Sequence, residues 1–401
     1  MPNSSSDASA SVRARNLMLV AEHVQAQRIT TRAELARVTG LSRTAVSSLV
    51  TELLARRVVV ECAERPEPGA VGTAAGRPAI GLGLDPSGGV LVGIHLAHDG
   101  VQVALADLTT TIIDETEHQL DVDHEPADTL EYAASTALEL IDRHGLDPRR
   151  VLGLGVAIAA PVALSTHALS PTTVLRDWAG IDIAGRLHRR TGIPIHVGND
   201  ANLGALAEWR LGAGRGVDDL IYVMLSDGVG AGLVLGGRLY EGGGGGAGEL
   251  GHVTVQPNGQ VCRCGNRGCL ETVVGTKSLV SALVNTGAQV DGTDDLVALA
   301  EGGNPGAQRV LTDAGRSVGQ ALAGSCTVLD PRLIIVGGKN ARASAPLIQG
   351  INDALSRSSS PLNNRSTKVV VGGLGDRAEL LGALSIAGSS AVARLLEGPA
   401  D

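Results

Sequence analysis

The segment Cys262-Arg263-Cys264-Gly265-Asn266-Arg267-Gly268-Cys269-Leu270-Glu271 places three of the chain's five cysteines within eight residues. His252 lies ten residues upstream, in Glu249-Leu250-Gly251-His252. Three thiolates and one imidazole make a complete tetrahedral ligand set for zinc, and the two glycines allow the chain to fold sharply around one ion. The alternative is a cluster of buried or redox-active thiols, but clustered cysteines in a cytosolic chain favour a metal. We predict a structural Zn²⁺ site at His252, Cys262, Cys264 and Cys269, without an open position for water.

The bulk composition bounds the class of protein. With 401 residues the chain has room for two or three domains. We find no run of ~18 apolar residues and no signal-type N-terminus, so the sequence predicts a cytoplasmic protein that does not bind membranes. The net charge is −9, yet residues 11–60 carry eight arginines against three glutamates. A basic head on an acidic body favours a nucleic-acid-binding module attached to a body with another task.

Residues 12–85 show the pattern of a helix-turn-helix. Thr31 and Glu34 form a capping-box pattern, Gly40 ends that short helix, and Ser42 is placed to cap the next one. The second helix alternates an apolar face with a face of small polar residues and one arginine. A recognition helix presents such a face to the major groove of double-stranded DNA. The residues that we predict to contact base edges are Arg43, Thr44, Ser47 and Ser48.

Two short strands follow the recognition helix, at 58–61 and 80–84, around a loop rich in proline and glycine. This arrangement is typical of a wing, and Arg77 near its tip is placed to reach a minor groove or a phosphate. A small helical packing domain with solvated arginines is the alternative. The cap, the glycine turn, the polar face and the wing together favour DNA binding.

In the body, a strand-turn-strand pattern appears twice, at 91–107 and 220–237, with helical segments after each. Two similar lobes with a cleft between them are the natural interpretation. Asn199 and Asp200 end a strand that begins near residue 193. They suit hydrogen bonding to sugar hydroxyls, and Asp200 suits proton abstraction in phosphoryl transfer. Both residue types also cap helices well, and local sequence does not separate these interpretations.

Taken together, the Glu249–His252 element, the Cys262–Glu271 element and Asn199-Asp200-Ala201-Asn202 resemble the ROK family of sugar kinases and sugar-responsive repressors. The resemblance covers essentially the whole chain. It implies an α/β fold, with a two-lobed actin/hexokinase-like body after a winged helix-turn-helix domain. The expected divisions are 12–85 for the head, 86–200 for the N-terminal lobe and 201–401 for the C-terminal lobe with the zinc motif. The head looks like the repressor branch, since the kinases generally lack it.

The resemblance also implies the site residues. His252, Cys262, Cys264 and Cys269 match the family's zinc ligands, and Asp200 matches the catalytic base of the kinases. Thr172 and Thr173 are weaker candidates for contact with the sugar. The residues that match sugar-contacting positions are Asn199, Asp200, Glu249, His252 and Glu271.

The phosphate-binding turns depart from the kinase pattern. Where the kinases carry Asp-x-Gly-Gly-Thr, this chain has His95-Leu96-Ala97-His98-Asp99, and the second turn reads Ser226-Asp227-Gly228 instead of Gly-Thr-Gly. The changes remove an anchor for hydrated magnesium, remove glycines that allow close approach of phosphate, and add carboxylates. Two unit charges at ~4 Å repel by about 4 kcal/mol at an effective dielectric of 20. We therefore expect no useful ATP binding and no enzymatic activity.

Three functions remain open at this point. We favour a sugar-responsive transcriptional regulator, expected to be a repressor, that binds a DNA operator and a sugar or sugar phosphate. An active ATP-dependent sugar kinase with an added DNA-binding head is the alternative, because Asp200 is retained. The third is a DNA-binding protein whose body only dimerises. A palindromic operator needs two heads, so a homodimer or homotetramer is expected.

Overall fold

The N-terminal head contains three helices and a two-stranded antiparallel sheet. The computed structural model describes residues 4–63, 80–163, 169, 175–358 and 367–397. Thr31 Oγ1 accepts a hydrogen bond from the Glu34 amide, and Ser42 Oγ accepts one from the Ala45 amide, so both predicted helix caps are confirmed. The capping box is only half formed, because the Glu34 carboxylate binds Arg37 instead of turning back to the cap. The elements are α1 (Ser4–Gln27), α2 (Arg32–Thr39), α3 (Arg43–Ala55), β1 (Val59–Cys62) and β2 (Gly81–Leu84).

The first lobe is built on a five-stranded mixed sheet. Its strand order is β5-β4-β3-β6-β7, in which β4 runs antiparallel to its neighbours β3 and β5, and β3, β6 and β7 run parallel. Long runs of buried Val, Ile and Leu fit a sheet that is covered on both faces. The elements are β3 (Val90–Ala97), β4 (Gly100–Asp107), β5 (Ile112–Gln119), α4 (Pro126–Arg143), β6 (Val151–Ile158), α5 (Ile183–Thr191) and β7 (Ile195–Asn199).

The second lobe is built on a four-stranded sheet of order β11-β10-β8-β9. The predicted antiparallel pair is β8 with β9, and β8, β10 and β11 run parallel. Two lobes of sheet and helix confirm the predicted fold class. The elements are α6 (Asp200–Leu211), β8 (Leu220–Leu225), β9 (Val229–Val234), α7 (Glu271–Val274), α8 (Thr276–Val284), α9 (Thr293–Glu301), α10 (Pro305–Leu329), β10 (Leu333–Gly337), α11 (Ser344–Ser358), β11 (Lys368–Val371) and α12 (Ala378–Glu397).

The last helix, α12, returns to the first lobe, although it follows the second lobe in sequence. A Cβ placed on Gly155 of β6 would lie 1.8 Å from the Ala383 carbonyl oxygen, so α12 lies directly on this sheet. A Cβ on Gly382 would lie 2.1 Å from the Leu203 carbonyl oxygen, so α12 also contacts α6 closely. Small residues thus let α12 pack between the sheet of the first lobe and α6.

Residues 375–396, which include α12, are long and apolar enough to span a membrane, contrary to the expectation from sequence. In the most apolar window of this segment, 56% of the residues are buried inside the protein. The same helix contributes Leu384 and Ala387 to a core that also contains Val20 of the head and Leu91 of the first lobe. Burial in a core between α6 and a sheet explains its hydropathy, because a helix covered on several sides is apolar on several sides.

Candidate functional site

The predicted metal ligands converge in one cluster beside the cleft. The four donor atoms of His252, Cys262, Cys264 and Cys269 all lie within 4.8 Å of one another. The Cys264 and Cys269 sulfurs are 3.7 Å apart, and the Cys262 sulfur lies 3.6 Å from His252 Nδ1. Four ligands around one zinc at ~2.3 Å would place sulfurs about 3.8 Å apart. The donor set and its spacing therefore fit a four-coordinate metal ion.

The two buried thiols of this cluster, Cys262 and Cys269, resist ionisation unless a cation is bound. Burial and then the neighbouring Cys264 thiol raise the pKa of Cys269 to about 12. Burial also raises the pKa of Cys262. Thiolates are the form that binds metal, so a bound ion must displace these protons and its affinity must fall with acidity.

The predicted sugar-contacting residues lie next to the metal cluster. His252 turns Nδ1 toward Cys262 and Nε2 toward Glu249, whose Oε2 is 3.6 Å away. Burial, with the negative charge of Glu271 nearby, raises the pKa of Glu249. The geometry therefore allows the imidazole to ligate a metal with one nitrogen while the other faces Glu249, and contact of His252 with a sugar stays a prediction.

Asn199 and Asp200 lie at the junction of β7 and α6, at the first lobe's side of the cleft. Asn199 Oδ1 accepts a hydrogen bond of 3.0 Å from the Asn202 amide, so the capping interpretation is confirmed for this residue. Its Nδ2 donates to the Ala160 carbonyl and to Asp200 Oδ1. Contact of either residue with a sugar stays a prediction.

Asp200 is buried, with 4% of its surface exposed, and it lines a small cavity. Burial raises the pKa of Asp200 to about 7, although its hydrogen bond from the Ala201 amide opposes that shift. A carboxyl group that titrates near neutrality can donate or accept a hydrogen bond with a hydroxyl group. It also suits a general base, so the pKa alone does not separate binding from catalysis.

A chain of charged groups that the sequence did not reveal crosses the cleft. Arg263, between two of the metal ligands, binds Glu271 with Nε at 3.2 Å and Asp123 of the first lobe at 3.3 Å. Asp123 in turn holds His98 Nδ1 at 2.6 Å. Burial is the largest influence and opposes a charge on His98, but the hydrogen bond to Asp123 and the negative charge of Asp123 together outweigh it, so the pKa of His98 is raised. Although Arg263 lies between two predicted metal ligands, its guanidinium group pairs with carboxylates.

The phosphate end is the part of the cleft that contains the two turns at 95–99 and 226–228. It is narrow, and the chain's own side chains fill it. The cavity there has a volume of about 40 Å³, which holds a few water molecules. Lys339 Nζ reaches from the turn after β10 to Asp99 Oδ2 at 3.1 Å, so an ion pair joins the lobes at this point. His95 is partly buried beside Gln102, and loss of hydration lowers its pKa to about 4, so the ring is neutral.

A second buried carboxyl group lines the same cavity. The Tyr222 hydroxyl donates a hydrogen bond of 2.7 Å to Glu379 Oε1, and both side chains are buried. Burial raises the pKa of Glu379 to about 8. Asp227 also lines this end of the cleft, and a carboxylate there disfavours a polyanion, whereas Glu379 keeps its proton below about pH 8.

The predicted DNA-contacting residues of α3 share one exposed face. Arg43, Thr44, Ser47 and Ser48 are exposed, whereas Val46, Leu49, Val50 and Leu53 are buried in the head. Arg13 of α1 joins this face, because it binds Glu52 at 2.7 Å and contacts Ser48 Oγ at 3.4 Å. Arg77 lies outside the described residues, as do Thr172 and Thr173. Contact of this face with DNA stays a prediction.

Comparison with known proteins decides the family. The model of the ROK family matches residues 91–390. The chain belongs to the ROK family. It is 28% identical over 355 residues to a protein of Bacillus spizizenii named xylose repressor, covering 88% of this chain and 90% of that repressor.

Two solved ROK structures share the fold. A ROK family transcriptional regulator, described as a homolog of the E. coli MLC protein, superposes with a TM-score of 0.77 at 24% identity, covering 96% of this chain and all of that one. A ROK family glucokinase from Streptomyces griseus, in complex with glucose and AMPPNP, superposes with a TM-score of 0.65 at 27% identity, covering 74% of this chain and 99% of that one.

For this ROK protein, the structure brings together nearly all the site residues named from sequence. The four metal ligands form one cluster, and Glu249, Glu271 and Asp200 lie around the adjoining cleft. Sequence reasoning missed Asp123 and the pairing of Lys339 with Asp99. The signal for Lys339 was a lysine directly after Gly337-Gly338, and the signal for Asp123 was an acidic residue shortly before a helix; neither specifies a partner.

Proposed function

We propose that this ROK protein is a sugar-responsive transcriptional repressor of the cytoplasm that no longer transfers phosphate. It binds double-stranded operator DNA through α3, binds a sugar or sugar phosphate in its cleft, and acts as a homodimer or homotetramer. One feature carries the proposal: a helix-turn-helix head is joined to a sugar-kinase-type body in which the Lys339–Asp99 ion pair occupies the phosphate end.

The metal cluster has a structural task in this proposal. Zn²⁺ at His252, Cys262, Cys264 and Cys269 would leave no open coordination position, so it would organise the loop instead of activating water. The loop in turn positions Glu271, and Glu249 lies against His252. These carboxylates, with Asn199 and Asp200, offer several acceptors to a polyol.

The fold supplies a physical connection between the sugar and the head. Helix α6 begins at Asp200 in the cleft and contacts α12 at Leu203. Helix α12 shares a hydrophobic core with α1 and α3 of the head. A sugar that binds one arrangement of the lobes better would shift the population of head positions. A coupling of ~1–3 kcal/mol would change DNA affinity by about 5–150-fold.

The relatives support the regulator over the kinase. The Bacillus spizizenii relative named xylose repressor matches 88% of this chain, and the solved transcriptional regulator matches 96%. The glucokinase matches only 74%, as expected if it lacks the head. Xylose therefore belongs first in a panel of candidate effectors, and release of DNA on sugar binding is the expected direction.

Selection of bound sequences from random duplex DNA tests the DNA-binding part of this proposal. The wild-type protein should select a pseudo-palindrome, and a panel of sugars and sugar phosphates should include one that lowers its affinity. Arg43→Ala should lose discrimination at one base position of each half-site, worth ~1–3 kcal/mol. Arg149→Ala, on the exposed surface of the body, is the control and should select the wild-type sequence. Unchanged preference in Arg43→Ala would show that α3 is placed wrongly.

The kinase remains the second candidate because Asp200, the position of the kinase base, is retained and titrates near neutrality. A body that only dimerises is the third, and calorimetry with the same panel tests it. Heat from one sugar would exclude the dimerising body, and no heat from any would favour it.

A further inference from the structure

A second and much larger cavity lies where the head meets the body. Its volume is about 720 Å³, within the range of ligand sites. The end of α1, strands β1 and β2, the turn between β4 and β5, and the C-terminal end of α6 enclose it. It is separate from the sugar cleft, which lies at the opposite end of α6.

The cavity is electropositive. Arg28, Arg210 and Arg215 line it, and among the described residues no carboxylate side chain does. Arg210 Nη1 donates to Ser389 Oγ at 3.0 Å, but its Nε is buried and has no hydrogen-bond partner in the described part of the chain. Burial lowers the pKa of Arg210, with Glu22 opposing that shift. A buried guanidinium donor without a partner indicates a missing acceptor.

The backbone around the cavity is also unusual. Four non-glycine residues have positive φ in the described ranges, and two of them, Arg28 at 58° and Thr110 at 65°, line this cavity. The left-handed region favours glycine, and a β-branched residue such as threonine rarely adopts it. Conformations of this kind persist where surrounding structure enforces them, and they concentrate at ligand sites.

We propose that this junction cavity is a second effector site, which binds a small organic anion carrying phosphate or carboxylate groups. The anion accepts hydrogen bonds from Arg210 and Arg28 and thereby ties the head to α6. Because α6 begins at Asp200 and ends at the cavity, an anion here and a sugar in the cleft act on the two ends of one helix. Binding of an anion in the junction cavity does not require the sugar response proposed above.

Thermal shift and calorimetry on the full chain test this site, with inorganic phosphate, a hexose 6-phosphate and succinate as probes and a neutral hexose for comparison. At least one anion should stabilise the protein, and the arms distinguish phosphate from carboxylate recognition. Arg210→Gln should weaken that binding by roughly tenfold or more, because it removes a charged hydrogen-bond donor. Arg149→Gln, which removes an exposed arginine elsewhere, should bind the anion like the wild type.

Two further variants control for misfolding and for binding of the anion in the sugar cleft. Arg28→Gly removes a charge and suits the left-handed backbone, so it should raise the melting temperature without ligand and weaken anion binding. Asp200→Asn should still bind the anion, because the junction cavity lies at the other end of α6. The proposal fails if no anion stabilises the protein, if Arg210→Gln or Arg28→Gly binds with wild-type affinity, if Arg149→Gln is as weak as Arg210→Gln, or if Asp200→Asn abolishes the effect.

Discussion

The two ends of the cleft differ in how their charged side chains are arranged. At the metal end, Glu249 and the second nitrogen of His252 face the cleft beside a cluster that fits a metal ion, and Glu271 is paired with Arg263. At the phosphate end, Lys339 is paired with Asp99, His95 is neutral, and the cavity is about 40 Å³. The difference indicates that one cleft can present hydrogen-bond acceptors at one end while the chain's own charged groups pair across the other end.

The largest expected effect tests the metal end. Cys269→Ser replaces a buried thiolate donor with a hydroxyl group. It should lower metal affinity by more than about 100-fold, which exceeds the loss caused by mutating residues that only support a metal ligand. Sugar binding should fall with it, because the loop that carries Glu271 loses its anchor. Cys62→Ser is the control and should keep one metal ion per chain by elemental analysis. Full sugar affinity in a metal-free Cys269→Ser protein would separate the metal from the sugar.

The next effect concerns the carboxyl group of Asp200. Asp200→Asn should weaken sugar binding by roughly 10–100-fold, because a charged acceptor is lost. Burial raises the pKa of Asp200 to about 7, so wild-type affinity should rise between pH 6 and 8 while the variant's does not. Titration calorimetry across this range is the measurement, with exposed Asp128→Asn as the control. Equal pH profiles for wild type and Asp200→Asn would remove Asp200 from the site.

The protonation of Glu379, at the phosphate end, predicts a pH-dependent contribution to the stability of the protein. Its pKa of about 8, against an ordinary 4.5, means that the folded protein holds this proton more tightly than the unfolded chain. The favourable contribution is therefore full below pH ~4.5 and is lost as the pH rises to about 8. Glu379→Gln keeps an acceptor for Tyr222 and should be more stable than wild type at pH 8.5 by on the order of 1–3 kcal/mol, with little gain at pH 5.

Urea unfolding at both pH values measures that difference. Glu301→Gln, at an exposed position, should show no pH-dependent gain. Equal stability of Glu379→Gln and wild type at pH 8.5 would mean that the buried charge of Glu379 does not destabilise the folded protein.

The smallest expected effect breaks the ion pair across the phosphate end. Lys339 and Asp99 are 33% and 41% exposed, so Lys339→Ala should change stability by less than ~1 kcal/mol. ATP should still not bind, because Asp99 and Asp227 keep their charge. Equilibrium dialysis with ATP and magnesium, beside exposed Lys368→Ala, is the check. Binding of ATP to Lys339→Ala would show that the ion pair alone closes this end.

The sequence predicted local features well, because their physics is local. The cap at Ser42, the antiparallel pairs at β3–β4 and β8–β9, and the spacing of Cys262, Cys264 and Cys269 depend on nearby residues. The repeated strand-turn-strand pattern indicated two lobes, and the family resemblance supplied their actin/hexokinase-like fold.

The sequence did not predict the ion pairs between residues that are far apart in the chain. Lys339 and Asp99 are 240 residues apart, and Arg263 and Asp123 are 140 apart, so nothing in either segment names the other. The return of α12 to the first lobe was missed for the same reason. Its glycines and alanines fit two surfaces that come from distant parts of the chain.

The most direct test of the central claim is a coupled phosphorylation assay on the metal-loaded protein with ATP, magnesium and the sugar that gives heat in calorimetry. The account predicts sugar binding without sugar phosphate formation, and no heat from ATP. Turnover near ~1 s⁻¹ or above, within the usual range of enzymes, would contradict it and make the protein a kinase.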